Sequence, residues 1–402
     1  MRSYLLAIGL ALGTNVRSDN NLATFKGDTF AVRNFGAILS TPDWFERTNP
    51  AGAPINSLTY AQGNFVALAG DDTVLISTNG ETWTAHPFGF PNETHTKPFS
   101  TGIIYANGVF LTARGNEHFP PYELLSSTNA IDWTQVSGFP TDQYITGLGF
   151  TPGEFLASAH SSIYRGADIY EDSEFFQHSP NGKTWIGERA PFRFTEEKLF
   201  SGISFARASN STIYSSSNAV NWVAGPKGGQ FLSVVESNLF SGPLVTQDGQ
   251  NWKLHELFTE STLTNVAGLR VAGRAGVYVA TVDGMIGTLV GNGNSLAGAK
   301  WAPQFALPGS ATVTGLAFAE NRFVVTTSAG QIFQSEAIPT LLIEQDSPNS
   351  LLITTTADSL QVDSAQTLTN PVWKPAGTIT PTAPLQVPIG PATQLFFRAV
   401  PQ

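Results

Sequence analysis

The stretch STNGETW, residues 77–83, decides how this chain folds, because it returns. It reads Ser77, Asn79, Gly80, Thr82, Trp83. Relatives follow as STNAIDW (127–133), SPNGKTW (179–185), SSNAVNW (216–222) and TQDGQNW (246–252), each closing on a tryptophan: Trp133, Trp185, Trp222 and Trp252. A contracted copy, STPDW, ends at Trp44. The side chains explain the spacing. A hydroxyl at Ser77 and an amide at Asn79 can bond backbone groups of a turn, Gly80 permits positive φ, and Trp83 opens the next strand with a large apolar ring to bury. The motif reads as a fold staple and not as a ligand or metal site. Its polar groups are spent locally, and among the full-length copies only Asp248 puts a carboxylate at the acidic position.

Alignment on the tryptophans exposes a longer unit. INSLTYAQGNFVALAGDDTVLISTNGETW and FSTGIIYANGVFLTARG followed by YELLSSTNAIDW share one order: apolar strand, Asn-Gly type turn, second strand, third strand, serine motif, tryptophan strand. Short strands joined by tight turns make an antiparallel meander. One such sheet cannot bury both faces alone, so copies must stack, and radial stacking gives a β-propeller. Units fall at 20–50, 55–88, 99–140, 145–192, 200–226, 229–257, 263–305 and 313–337. The last lacks its tryptophan strand, and N-terminal residues are expected to supply a closing strand. The expected fold is all-β: a propeller of seven or eight blades over 20–339, followed at 340–402 by a small β-sandwich-like module. Residues 1–19 read either as a minimal signal peptide or as a ring-closing strand.

Composition narrows the function classes. Charged residues are 13% of the 402, against ~25% in ordinary domains, while 38 glycines, 25 prolines and 28 phenylalanines favour turns and aromatic packing. A net charge of -10 argues against nucleic acid and anionic lipid as partners. The absence of cysteine removes thiol chemistry and disulfides, and no apolar run reaches the ~18 residues of a membrane-spanning helix.

The repeat resembles the Asp-box, or BNR, repeat of sialidase-like propellers, in the shorter form found in bacterial proteins similar to the photosystem II assembly factor and the sortilin ectodomain. The resemblance covers roughly residues 20–337. It implies a propeller strongly and an activity hardly at all, since such rings host enzymes, receptors and assembly factors. A sialidase-type site would need an arginine clamp on a carboxylate, a Tyr/Glu pair and an Asp near the start of the chain. The Arg-Ile-Pro signature is absent, and Arg17, Arg33 and Arg47 stand in other contexts, so no catalytic residue carries over. No HExxH, GxSxG or phosphate loop appears, and neither metal nor cofactor is expected.

Insertions single out one surface. Turns between second and third strands share a face with the links between blades, and the serine motifs take the other. Residues 86–98, 114–122, 162–175 and 187–198 all enlarge the first face over blades two to four. They gather His95, Glu117, His118, Tyr122, Tyr164, Arg165, Asp168, Tyr170, Arg189 and Arg193. Tyrosine beside arginine and carboxylate suits a sugar or protein surface. The leading expectation is a non-catalytic, exported binding or scaffolding protein with a glycan or protein partner. A glycosidase or lyase using the same face, and self-association through the C-terminal module, are the alternatives. His160 and His178 read as satisfied strand histidines.

Overall fold

The computed structural model describes residues 35–36, 44–70, 72–89, 98–116, 122–166, 169–255, 268–274, 277–282, 284–290, 300–309, 311–337, 340–347, 350–355, 360–365, 372, 374–380, 382–388 and 396–401. They form a β-propeller of seven blades, each an antiparallel meander, with the innermost strands neighbouring one another around a closed ring. Blades 1 to 6 run in chain order from Ile55–Ala61 to Lys300–Ala306. Blade 7 combines Val313–Ala319, Arg322–Thr327 and Ile332–Ser335 with the outer strand Trp44–Arg47. The ring is therefore shut by a strand from the other end of the chain. The described residues of the expected unit 20–50 make no separate blade: Trp44–Arg47 joins blade 7, and Phe35–Gly36 pairs with Thr340–Ser347. The count is seven because the tryptophan strand missing from the last unit and the orphan STPDW copy are two halves of one blade.

Burial follows position in the blade. Second strands have neighbouring blades on both faces and read as continuous apolar runs, such as Asn64–Ala69 and Arg322–Thr327, buried at every residue after the first. Outer strands such as Ile186–Arg189 are exposed throughout. One buried apolar cluster fills each seam between blades, including the seam that joins blade 7 to blade 1.

The serine motif tightens five of the seven seams. In blade 1 the Gly80 N–H donates to Ser77 Oγ at 2.8 Å, and the Glu81 and Thr82 N–H groups donate to Asn79 Oδ1 at 2.9 and 3.2 Å. The Trp83 indole N–H returns to the Gly80 carbonyl at 3.0 Å. Asn129, Asn181, Asn218 and Asp248 accept the same pair of N–H groups in blades 2 to 5. At Asp248 the Asn251 side chain and the Asn251 and Gln250 N–H groups hold the carboxyl far below the usual carboxylate range. Each tryptophan then packs on the preceding blade: Trp83 beside Val324 and Ile332, Trp133 beside Val66, Trp185 beside Leu111, Trp222 on Phe176, Trp252 on Phe205. Trp83 and Trp133 are buried to 6% exposure, and Trp185, Trp222 and Trp252 are half-buried against their clusters.

Blade 7 shows what a severed hairpin does. Ser335 holds the serine position, but its hydroxyl accepts the Phe323 N–H at 2.9 Å and donates to the Glu336 carbonyl. Arg47 on the closing strand donates to Gln334 at 2.7 Å and lies 3.8 Å from Glu81 in the blade 1 hairpin.

The two faces divide as expected. The hairpin between first and second strands of blade 1 reaches the serine motif of blade 2, through Gln62 Nε2 to the Thr128 carbonyl at 3.0 Å. The turn between second and third strands meets the links instead, through Gly70 N to Pro54 O at 2.8 Å and Phe88 N to Asp72 O at 2.7 Å.

From residue 340 onward the described strands form two further sheets. One pairs Ser350–Thr355 with Thr340–Ser347 and Leu385–Pro388, and the other pairs Leu360–Ala365 with Lys374–Ile379 and Phe396–Pro401.

The motif glycine sits with φ near +72°, and a Cβ there would lie 2.6 Å from Val324 of the neighbouring blade. Gly80→Ala is expected to cost about 2–4 kcal/mol from backbone strain plus overpacking, measured by urea denaturation, without change in the far-UV circular dichroism of the native state.

Candidate functional site

Blade 3 carries the most extended hairpin of the described residues. Its second and third strands, Glu154–Gly166 and Ile169–Ser179, stay paired well past the start of the innermost strand at Tyr144, which lies level with His160. Most of 162–175 is therefore strand and not loop, with Tyr164 opposite Tyr170 near the tip. Arg165 is in the same hairpin, whereas Asp168, His95, Glu117 and His118 lie outside the described residues.

Where this hairpin leaves the sheet, charged groups meet. His160 Nδ1 is 3.2 Å from Glu174 Oε1, and its Nε2 is 3.7 Å from Asp172 Oδ1. Arg193 Nε is 3.6 Å from the same Glu174 oxygen. Arg189 donates to Ser173 Oγ at 3.1 Å and lies over the Phe175 ring at 5.8 Å. Opposite charges are close here, yet His160 Nδ1, Glu174 Oε2 and Arg193 Nε are buried without a hydrogen-bond partner. The structure thus gathers Arg189 and Arg193 with Asp172 of the same insertions, and adds His160 and Glu174, two residues the loop inventory did not select. The signal for them was the strand pairing itself, which puts His160 directly opposite Glu174. His178 differs: its Nδ1 meets Glu154 Oε1 at 3.0 Å on the serine-motif side.

Tyr122 belongs to a different environment. It is buried, edge-on to Tyr144 at 5.3 Å, and burial followed by the Tyr144 neighbour pushes its phenol up. Its ring packs inside and presents little surface to a ligand. Among the described residues no group of three or more His, Asp or Glu side chains is arranged to hold a metal ion.

The segment 187–198 does not form a link throughout. Phe194–Phe200 is the innermost strand of blade 4, pairing with Ile203–Ala208 through the two-residue hairpin Ser201-Gly202. Three successive charges, Glu196-Glu197-Lys198, disguise it. Counted back from that hairpin, Glu197 takes the position filled by Leu58, Ile103 and Leu148 in blades 1 to 3 and by Leu232, Val271 and Leu316 in blades 5 to 7. It is an acid in an aliphatic ring. Its Oε2 accepts the Phe150 N–H at 2.9 Å, while Oε1 is buried without a partner. Gly149 makes this possible, since a Cβ there would sit 2.6 Å from the Glu197 side chain. Burial pushes the Glu197 carboxyl up from 4.5 to about 7, against the downward pull of the Phe150 N–H and the Lys198 charge; Glu196 adds a smaller upward push.

No protein-family profile matches the chain, and no curated protein matches it in sequence. Among solved structures it is similar to virginiamycin B lyase from Staphylococcus aureus, at 12% identity and a TM-score of 0.51, covering 73% of this chain and 98% of that one. A catalytically inactive variant of that lyase with quinupristin gives 11% identity and a TM-score of 0.52, with the same coverage of 73% and 98%. The WD40 β-propeller domain of Doa1 follows at 12% identity and a TM-score of 0.48, covering 75% of this chain and 97% of that one. At such identities the two lyase structures show the shared fold alone.

Glu197 makes stability pH-dependent with a definite sign. The unfolded carboxyl ionises near 4.5 and the folded one near 7, so the contribution is full below 4.5 and is lost as pH rises towards 7. Glu197→Leu is expected to remove this decline and to raise stability at pH 8 by about 1–3 kcal/mol, read from thermal melts across pH 4 to 8.

Proposed function

We propose that this chain is a binding or scaffolding protein, exported from its cell, whose ring of Asp-box-type repeats presents the link face of blades 1 to 3, the second to fourth of the sequence units, to a glycan or protein partner. The observation that carries the reading is the blade 3 hairpin. It projects from a scaffold clamped at every seam, and at its base Arg189, Arg193, His160 and Glu174 are prearranged with donors and an acceptor still unspent. Because these charged side chains are already ordered under the hairpin, a partner that meets its outer surface does so without the cost of ordering a loop. Tyr164, Arg165 and Tyr170 near the hairpin tip, with Asp168, His95, Glu117 and His118 of the inserted segments, are the proposed outer contacts. Tyrosine and arginine at such a tip offer flat apolar area and directional donors together.

A glycan array run beside a reducing-end release assay on the same panel tests the reading. Binding without release is expected, and Arg193→Ala should lower affinity roughly tenfold, the equivalent of ~1.4 kcal/mol for one charge-assisted contact. Release of sugar ends would replace the binding reading with a glycan-cleaving one. Unchanged affinity in Arg193→Ala would move the partner away from this hairpin.

A further inference from the structure

The quasi-symmetry of the ring allows inner strands to be compared position by position. The fifth residue before the hairpin is serine or glycine in four blades, at Ser57, Gly102, Gly147 and Gly315. In the three consecutive blades 4, 5 and 6 it is Glu196, Phe231 and Arg270. This position lies towards the link-side end of the inner strand and its side chain looks to the following blade: Ser57 Oγ accepts the Ile103 N–H at 3.0 Å, and Glu196 Oε2 accepts the Leu232 N–H at 2.8 Å. One side of the ring is thus lined by small residues and the other by an acid, an aromatic ring and a base.

The base is unusual in what it lacks. The Arg270 guanidinium carbon lies 3.5 Å from the centroid of the Phe231 ring, a stacked arrangement that fixes the plane of the fork. Among the described residues it finds no hydrogen-bond acceptor, and its Nε is buried without a partner. Arg207, two blades earlier, shows how the same side chain looks when its role is structural: it donates to the Gly229 carbonyl at 2.6 Å, to Thr195 at 2.8 Å and to Ser211 at 3.3 Å. The nearest acid does not discharge Arg270 either. Glu196 holds the Leu232 N–H on one oxygen and has Lys198 Nζ 3.6 Å from the other. A part-buried cation with its donors unspent is costly in a chain of net charge -10, where acids to pair it are in surplus.

We propose that Arg270, held flat against Phe231, is a binding residue for a carboxylate group on a small ligand that enters at the link-side end of the inner strands of blades 5 and 6. Two carboxylate oxygens match two parallel N–H donors of the fork. A single negative charge suits the place better than a phosphate dianion, because Glu196 stands within electrostatic reach of Arg270. The inference does not rest on the blade 3 hairpin and survives a blank glycan array.

Three carboxylate probes, acetate, D-galacturonate and glycylglycine, are titrated against the full chain by saturation-transfer NMR, with D-galactose and inorganic phosphate as controls. Saturable binding of at least one carboxylate probe is expected, with none for galactose, and a tenfold or greater loss of affinity in Arg270→Gln. A stability measurement covers the case of a damaged variant. Without ligand, Arg270→Leu is expected to leave Tm unchanged or raise it, since it deletes an uncompensated cation; a fall in Tm would make Arg270 a structural residue and overturn the proposal. No Arg270-dependent binding of any of the three probes overturns it as well, and phosphate binding as tightly as the best carboxylate overturns the assignment of ligand class.

Discussion

Seven small sheets become one body only if each seam is closed, and the indole that closes most seams must be aimed by something local. The aiming device is the pair of acceptors two residues apart in the serine motif. Ser77 and Asn79 take backbone N–H groups that a tight turn would otherwise leave unpaired, and the turn carbonyl that remains takes the indole N–H. The ring of Trp83 then has one direction to go, into the second strand of the blade before it. Where glycine is absent the chain accepts strain to keep the geometry: Ala130 and Ala219 hold φ of 61° and 58° at the glycine position, and both are buried in the seam. Backbone strain of order 1 kcal/mol is offset there by packing.

Most of this architecture was legible because the motif is local. Strand three, turn and tryptophan lie within a dozen residues, so their periodicity survives in linear sequence. Two features were not. The innermost strand of blade 4 carries Glu196, Glu197 and Lys198 where most other blades carry small or aliphatic residues, and hydrophobic alternation is the signal by which strands are read. The Ser201-Gly202 hairpin, which matches Gln62-Gly63 and Asn107-Gly108, was the surviving clue. The blade count stayed open between seven and eight for a different reason. A tandem-repeat search counts every tryptophan strand with its own neighbours, and Trp44 pairs with a strand nearly three hundred positions away.

The site was legible only in outline. An excess of tyrosine, arginine and acid in the insertions marked the face, and Arg189 and Arg193 do converge there. His160 and Glu174 required the register of two strands. Glu197 and Arg270 required more, since neither has an unusual neighbour in sequence and each becomes conspicuous only when all seven inner strands are laid on one another. Departures from quasi-symmetry are where a repeat protein keeps its individuality, and here they fall on one arc of the ring, blades 3 to 6.

The split seventh blade has a consequence for how the polypeptide matures. During synthesis Trp44–Arg47 emerges early and has no sheet to join until Ile332–Ser335 is made. Six blades can assemble while this segment waits, but the disc stays an open crescent with an unpaired rim at each horn. Latching waits for the seventh blade, and it ties the two ends of the propeller-forming chain to each other, so that the ring cannot open at this blade without breaking the latch.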